Sequence, residues 1–280
     1  MATRIVSLPL VCKKVFLSAL VAVGSLSAAA QAYKVTNIVS DGSVPAPTVD
    51  ANFINPWAIS VSGTWWISTA GTGYNYVVAS AGTIGGKVIV PSATNQTNPG
   101  FPAGSVTTAG ATGMLLPLPN GTKASFIFST LDGTISGWNG KVGALNGPPP
   151  ICPIVVNNNA AEASYPGLAI LNTSTRSYVL TANFETASKI EVYDDTFQPT
   201  TLAGSFTDPT LPAGYAPFAV HILGSQVWVS YAKRTSTAPY ATVNGSGREN
   251  RPTRIGQGQP PSEPYSEFAN CHASSRDAKT

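Results

Sequence analysis

The chain has 280 residues, 10% of them charged, and a formal net charge of +3. That length suits one large all-β domain or two small ones. Arg4, Lys13 and Lys14 lie in the leading segment with no acid beside them, so the rest of the chain is close to neutral. A near-neutral chain argues against a nucleic-acid partner, because phosphate binding needs a clustered basic face.

Residues 1–32 read as a secretory signal peptide. The three basic residues form its n-region, and Val15 to Leu26 form an apolar h-region too short to span a bilayer comfortably. Ala30-Gln31-Ala32 fits the small-x-small cleavage rule, which predicts a mature start at Tyr33. The mature protein is therefore expected to be secreted or periplasmic, with no membrane span. Cys12 leaves with the signal. Cys152 and Cys271 remain, which makes no disulfide framework, and the absence of CxxC argues against zinc.

From Tyr33 to Asn55 runs an entry segment. Val35, Ile38 and Val39 read as a strand that Asp41-Gly42 ends, and Pro45 and Pro47 impose extended backbone. Its expected role is structural, pairing with the last sheet. A first unit follows, with strands over Trp57 to Val61, Thr64 to Ser68 and Asn75 to Val78. The second unit runs from Thr112 to Gly140. Asn120-Gly121 and Asp132-Gly133 supply its turns, because such pairs tolerate the positive φ of tight hairpins. A third unit spans Tyr165 to Asp195 and a fourth begins at Tyr215.

The units align. Trp65-Trp66-Ile67-Ser68, Phe126-Ile127-Phe128-Ser129, Tyr178-Val179-Leu180-Thr181 and Val227-Trp228-Val229-Ser230 are the second strands. They recur at roughly 50 to 60 residues, near the period of about 40–50 that marks propellers. A β-propeller-like, all-β fold of about four blades is expected, with a β-sandwich as the competing architecture. Lys87 to Val90 and Ile154 to Val156 are the candidate outer strands. The rest of Ser80 to Ala111 and of Gly143 to Ala163 reads as surface loop. Trp57, Trp65, Trp66, Trp138 and Trp228 fall on strands at matching positions, which suits packing between blades better than ligand stacking.

After Lys233 the pattern stops. Residues 234–280 gain Arg, Pro, Ser and Gln where alternating apolar residues should be, and read as a disordered or out-of-pattern tail. The domain reading is thus 1–32 signal peptide, 33–233 propeller-like domain and 234–280 tail, with the propeller incomplete and open at its C-terminus. A truncation or reading-frame error is the alternative to a genuine tail.

Val39 to Ser60, Leu131 to Asn139, Tyr178 to Pro199, Gly204 to Val220 and Tyr231 to Lys233 resemble a family of exported bacterial proteins of unassigned function. Its members look like longer propellers with NHL-type or lactonase-like blades, some with a surface-sorting anchor. The resemblance implies blades and supplies no catalytic residues. In lactonase-like propellers a divalent metal sits at the channel mouth on Glu, Asn and Asp oxygens, which makes calcium the candidate cofactor here. The openings of the first strands are Asn55, Thr112, Tyr165 and Tyr215, and only Asn55 is a plausible ligand. Asp132 and Asn183, which follow second strands, are the other binding candidates, each with a plainer role in local turns. His221 alternates with Val220 and Ile222 on a strand, and Glu185 and Glu191 have no evident partner. No GxSxG elbow or phosphate-binding loop is present. The expectation is a non-catalytic binding or scaffold module for a small molecule, glycan or protein. A truncated metal-dependent lactonase-type hydrolase is the alternative.

Overall fold

The computed structural model describes residues 34–111, 116–202, 206, 211–224 and 226–238, and the backbone of 274–277. All elements below belong to the unit Asn37–Thr280. The sequence leads off with a small parallel pair, β1 (Val39–Ser40) and β2 (Thr48–Val49). The entry strand thus pairs locally with β2 across the link of residues 41–47, and not with the last sheet as the sequence suggested. Four larger sheets follow.

Sheet 1 is the antiparallel meander β3 (Pro56–Ser62), β4 (Thr64–Thr69), β5 (Tyr74–Val78) and β6 (Ile84–Ile89). Sheet 2 comprises β7 (Pro102–Thr107), β8 (Phe126–Thr130), β9 (Thr134–Trp138) and β10 (Ile154–Asn157). Sheet 3 has β11 (Gly167–Asn172), β12 (Ser177–Asn183), β13 (Lys189–Tyr193) and β14 (Pro199–Thr200). Sheet 4 consists of β15 (Tyr215–Leu223), β16 (Gln226–Lys233) and β17 (Ser274–Asp277). In each sheet the strands lie in chain order, and the first strand packs on the first strand of the next: β3 on β7, β7 on β11, β11 on β15. Small meanders joined through their first strands make an all-β, propeller-like fold with four blade-like sheets.

Three core clusters form the joints. Trp66, Val77, Val88 and Val90 of sheet 1 meet Phe126, Phe128, Trp138 and Cys152 of sheet 2. The Trp66 ring stacks on Phe126 at 3.8 Å between centroids. Ile127 and Ile135 of sheet 2 meet Leu168, Val179 and Tyr193 of sheet 3. Leu180, Ile190 and Val192 then meet Val220, Val227 and Val229 of sheet 4. Side chains alternate between faces along each strand, so one strand serves two joints. Two glycines let the first strands approach. A Cβ on Gly104 would lie 2.6 Å from Leu168 Cβ, and one on Gly167 would lie 2.7 Å from Ala219 Cα.

Several details differ from the sequence reading. The first strand of sheet 2 is Pro102–Thr107, inside the stretch read as loop; Thr112 and Gly113, expected to open it, lie outside the described residues. PAGSVT shows no alternation, because Gly104 serves close packing and not a strand face. The Asn120-Gly121 turn exists, but it closes a side excursion bridged by Pro117 and Lys123. The third unit is shifted by one residue: Val179 faces sheet 2, whereas Trp66, its aligned partner, faces the sheet that follows its own. A one-residue shift exchanges the faces of a strand. Beside β16 the sequence left the third position empty, and β17 pairs there, with Val229 opposite Ser274 and Gln226 opposite Asp277. Of the tryptophans expected in the core, Trp66 and Trp138 are buried, Trp65 and Trp228 are half-buried, and Trp57 is exposed.

Candidate binding site

In an up-and-down meander, the start of the first strand, the turn between the second and third strands, and the link to the next sheet share one end. Asn55, Asp132 and Asn183 all lie at that end. Asn55 adopts a left-handed φ of 52° and accepts the Ala70 amide through its carbonyl at 3.0 Å. Asp132 sits in the β8–β9 turn, before Gly133 with its φ of 81°. Its Oδ2 accepts from the Ala93 amide at 2.8 Å, and its carbonyl accepts from Asn159 Nδ2 at 3.1 Å. These bonds tie the links on both sides of sheet 2 to one turn. Asn183 is 1% exposed; its Oδ1 accepts from the amides of Ser164 and Glu185, and its Nδ2 donates to Glu191 Oε1 at 2.9 Å. No hydrogen bond joins any two of the three candidates.

The Asn183 bond leads to a group whose partners were not evident in the sequence. Glu191 Oε2 accepts from the hydroxyls of Tyr165 at 2.6 Å and Tyr193 at 2.9 Å. Asn158 Nδ2 donates to both hydroxyls, at 2.7 and 2.8 Å. The carboxylate thus has three donors, and the tyrosines have their acceptor and a donor. Burial works against ionisation of Glu191, but the bonds from Tyr165, Asn183 and Tyr193 and the charge of Lys189 outweigh it and hold the carboxyl below its ordinary range. Burial, with the bonded carboxylate, pushes both tyrosine hydroxyls well above theirs. At neutral pH the cluster is one fixed anion under two fixed phenols.

Glu191, Tyr193 and Asn158 also line a cavity of about 460 Å³ at the outer side of sheet 3. Lys189, Thr200 and Thr201 add polar groups, and Leu202 and Phe206 an apolar wall. Among the described residues β14 pairs only with Val192 and Tyr193 and no strand pairs with the outer edge of Lys189–Glu191, beside which the cavity lies. A carboxylate offers about four acceptor sites, so one remains beyond the three in use. The one sequence signal for this cluster is the alternation of Lys189, Glu191 and Tyr193 with Ile190 and Val192; its partners come from β12 and from the link before β11.

The residues at the openings of the first strands do not fit the divalent metal of lactonase-like propellers. The described ones are one amide and two phenols, and the Tyr165 hydroxyl is committed to Glu191. Among the described residues, no group of three or more His, Cys, Asp or Glu could hold a metal ion. His221 is exposed on β15 and pairs across to Trp228. Among the described residues no helix is long and apolar enough to cross a membrane.

Fold and site together define a class: an all-β, propeller-like protein with a polar cluster set into one blade. No protein-family model matches the chain. It is 26% identical over 227 residues to an uncharacterised protein, R648, of Acanthamoeba polyphaga mimivirus, covering 77% of this chain and 52% of the relative. The chain therefore spans about half the length of that relative. Among solved structures it resembles the β-propeller domain of Myceliophteria thermophila Cps50 (Swd1), with a TM-score of 0.35, 13% identity, and coverage of 62% of this chain and 47% of that one. A protein of unknown function from Bacteroides caccae gives a TM-score of 0.32 at 12% identity, over 69% of this chain and 58% of the other. BBS1N, solved in complex with ARL6DN, gives 0.36 at 12% identity, over 74% and 56%.

Proposed function

We propose that the protein is an exported, non-catalytic binding module that holds a small, neutral, hydroxyl-rich ligand, such as a glycan unit, in the cavity beside Glu191. One observation carries this reading: the carboxylate is locked in its ionised form by Tyr165, Tyr193 and Asn183, while both phenols are locked in their neutral form. General acid–base catalysis requires a group that exchanges its proton near the working pH. A fixed acceptor beside fixed hydroxyls and an apolar wall suits recognition of a molecule with polar edges and an apolar face. Export, and with it a bacterial periplasmic or extracellular site of action, rests on the leading segment and on the family resemblance.

The test is calorimetric titration of the purified protein with a panel of neutral mono- and oligosaccharides. Binding of at least one is expected, and Thr201→Trp, which fills the cavity while keeping every side chain of the Glu191 cluster, should abolish it with the circular dichroism unchanged. A panel with no binder would overturn the reading, as would binding that survives Thr201→Trp. Stoichiometric calcium in the purified protein, with a calcium-dependent hydrolysis of lactones, would replace it.

A further inference from the structure

The layer beside the aromatic stack of sheets 1 and 2 is polar. Ser68 and Asn75 pair across β4 and β5, and Phe128 and Ser136 pair across β8 and β9. Cross-strand partners share a face, and so do residues two apart on one strand. Ser68 and Asn75 therefore lie on the face of Trp66 and Val77, and Ser136 on the face of Phe128 and Trp138, the two walls of the joint. Trp66 stacks on Phe126, and β4 and β8 run toward the same end, so one step further along each strand brings Ser68 and Asn75 opposite Phe128 and Ser136. Asn75 and Ser136 are both 0% exposed. Asn75 Nδ2 donates to the Ser68 hydroxyl at 2.9 Å, but its Oδ1 is buried with no hydrogen-bond partner among the described residues. Exchanging the two ends of the amide only moves the shortage to the nitrogen. The Ser136 hydroxyl and the Trp138 indole Nε1, two residues apart on one face, are buried and unpartnered in the same way. On the side of the turn, Thr130 and Thr134 close the joint by bonding to each other at 2.8 Å.

We propose that this layer is a buried hydration site, in which ordered water joins Asn75 Oδ1, Ser136 Oγ and Trp138 Nε1 across the joint. Leaving three such atoms unmatched in one interior is costly, and folded proteins rarely do so. The atoms themselves select the ligand. Asn75 Oδ1 only accepts and Trp138 Nε1 only donates, whereas water does both and the Ser136 hydroxyl takes either role. A metal ion or an ammonium ion has no lone pair for the indole N–H, and an apolar guest satisfies none of the three. Buried water is held by about two to four polar partners, which is what this layer offers. The bridge adds a directed tie beside a stack that has none of its own, and so fixes where sheet 1 sits along sheet 2. The inference is independent of the cavity beside Glu191.

The test is a crystal structure of the chain with its ordered solvent, joined to a double-mutant cycle. A solvent peak at about 2.7–3.2 Å from both Asn75 Oδ1 and Ser136 Oγ is expected. Side chains that bond directly to each other, or a gap with no peak, overturn the proposal. A peak with six oxygen neighbours at about 2.0–2.6 Å also overturns it, because that marks a cation. In urea denaturation Ser136→Ala should lower the midpoint, since it removes one arm of the bridge. In an Asn75→Ala background the same substitution should lower it by less, because the bridge is already broken. A midpoint raised by Ser136→Ala overturns the proposal, as that is the behaviour of a hydroxyl with no partner at all. Equal shifts in the two backgrounds overturn it too, since groups that share no water have no coupling. Unchanged circular dichroism establishes that each variant is folded, and the crystal structure decides alone where one is not.

Discussion

The joint between sheets 1 and 2 and the Glu191 cluster on sheet 3 are both buried, but different physics holds them. The first is an aromatic stack: Trp66 on Phe126, with Trp138 at 4.9 Å and the Phe128 ring at 6.4 Å. Dispersion and area burial are non-directional, so what this stack requires is filled volume and not any particular donor or acceptor. The second is a set of directed bonds converging on one carboxylate, in which each group depends on the placement of the others. Volume should therefore govern the stability of the first region, and single donors and pH that of the second.

The largest effect is expected from Trp66→Ala, which empties the centre of the stack and should destabilise by about 3–5 kcal/mol. Urea denaturation followed by far-ultraviolet circular dichroism measures it; a loss below about 1 kcal/mol would show that the sheets are not joined here. Gly104→Ala comes next. Its Cβ would meet Leu168 and Ser129, and overpacking of that kind costs about 1–3 kcal/mol, read in the same titration. Tyr165→Phe removes one hydroxyl and leaves the ring, which isolates the directed bonds. A loss of about 1–2 kcal/mol is expected, and a neutral result would mean that the carboxylate does not need this donor.

The smallest effect is pH dependence. The folded-state pKa of Glu191 lies below the ordinary 4.5, so its contribution to stability is fully present above that value. That contribution fades as the pH falls from 4.5 through the lower folded value, because protonation then releases the bonds from Tyr165, Tyr193 and Asn183. Wild type should accordingly lose more stability than Glu191→Gln between neutral pH and pH 4, measured as the shift in denaturation midpoint. Parallel lines for the two proteins would remove the cluster from the acid response.

The same contrast explains what could be read in the sequence. The strands of the aromatic joint are short apolar runs bounded by turns. Phe126-Ile127-Phe128 followed by Asp132-Gly133 declares a strand and a hairpin from local residues alone, and β8 and β9 form there. β7 was hidden because its Pro and Gly meet needs set by a neighbouring sheet. The one-residue offset of Val179 was equally hidden, since Tyr178, Val179 and Leu180 all suit a strand and only the neighbouring sheets settle which faces which. Asp132 and Asn183 were singled out by their position after second strands, and Asn183 does touch the cluster. Glu191 itself reads as an ordinary polar residue on a half-exposed strand, because Tyr165 and Asn183, and Asn158 through the tyrosine hydroxyls, meet it only in the folded chain.

Cys152 gives the aromatic joint a further property. It is a free thiol at 0% exposure in the same cluster as Trp66 and Phe126, and burial pushes its ionisation far up. The thiolate is the reactive form, so the closed joint denies this atom to oxidants, to disulfide partners and to alkylating reagents alike. Reaction must wait until sheets 1 and 2 part. With Cys12 and Cys271 both replaced by serine, the labelling rate of this sulfur becomes a clock for the opening of one joint, ticking with the molecule's local breathing and not with its global unfolding wherever the two differ.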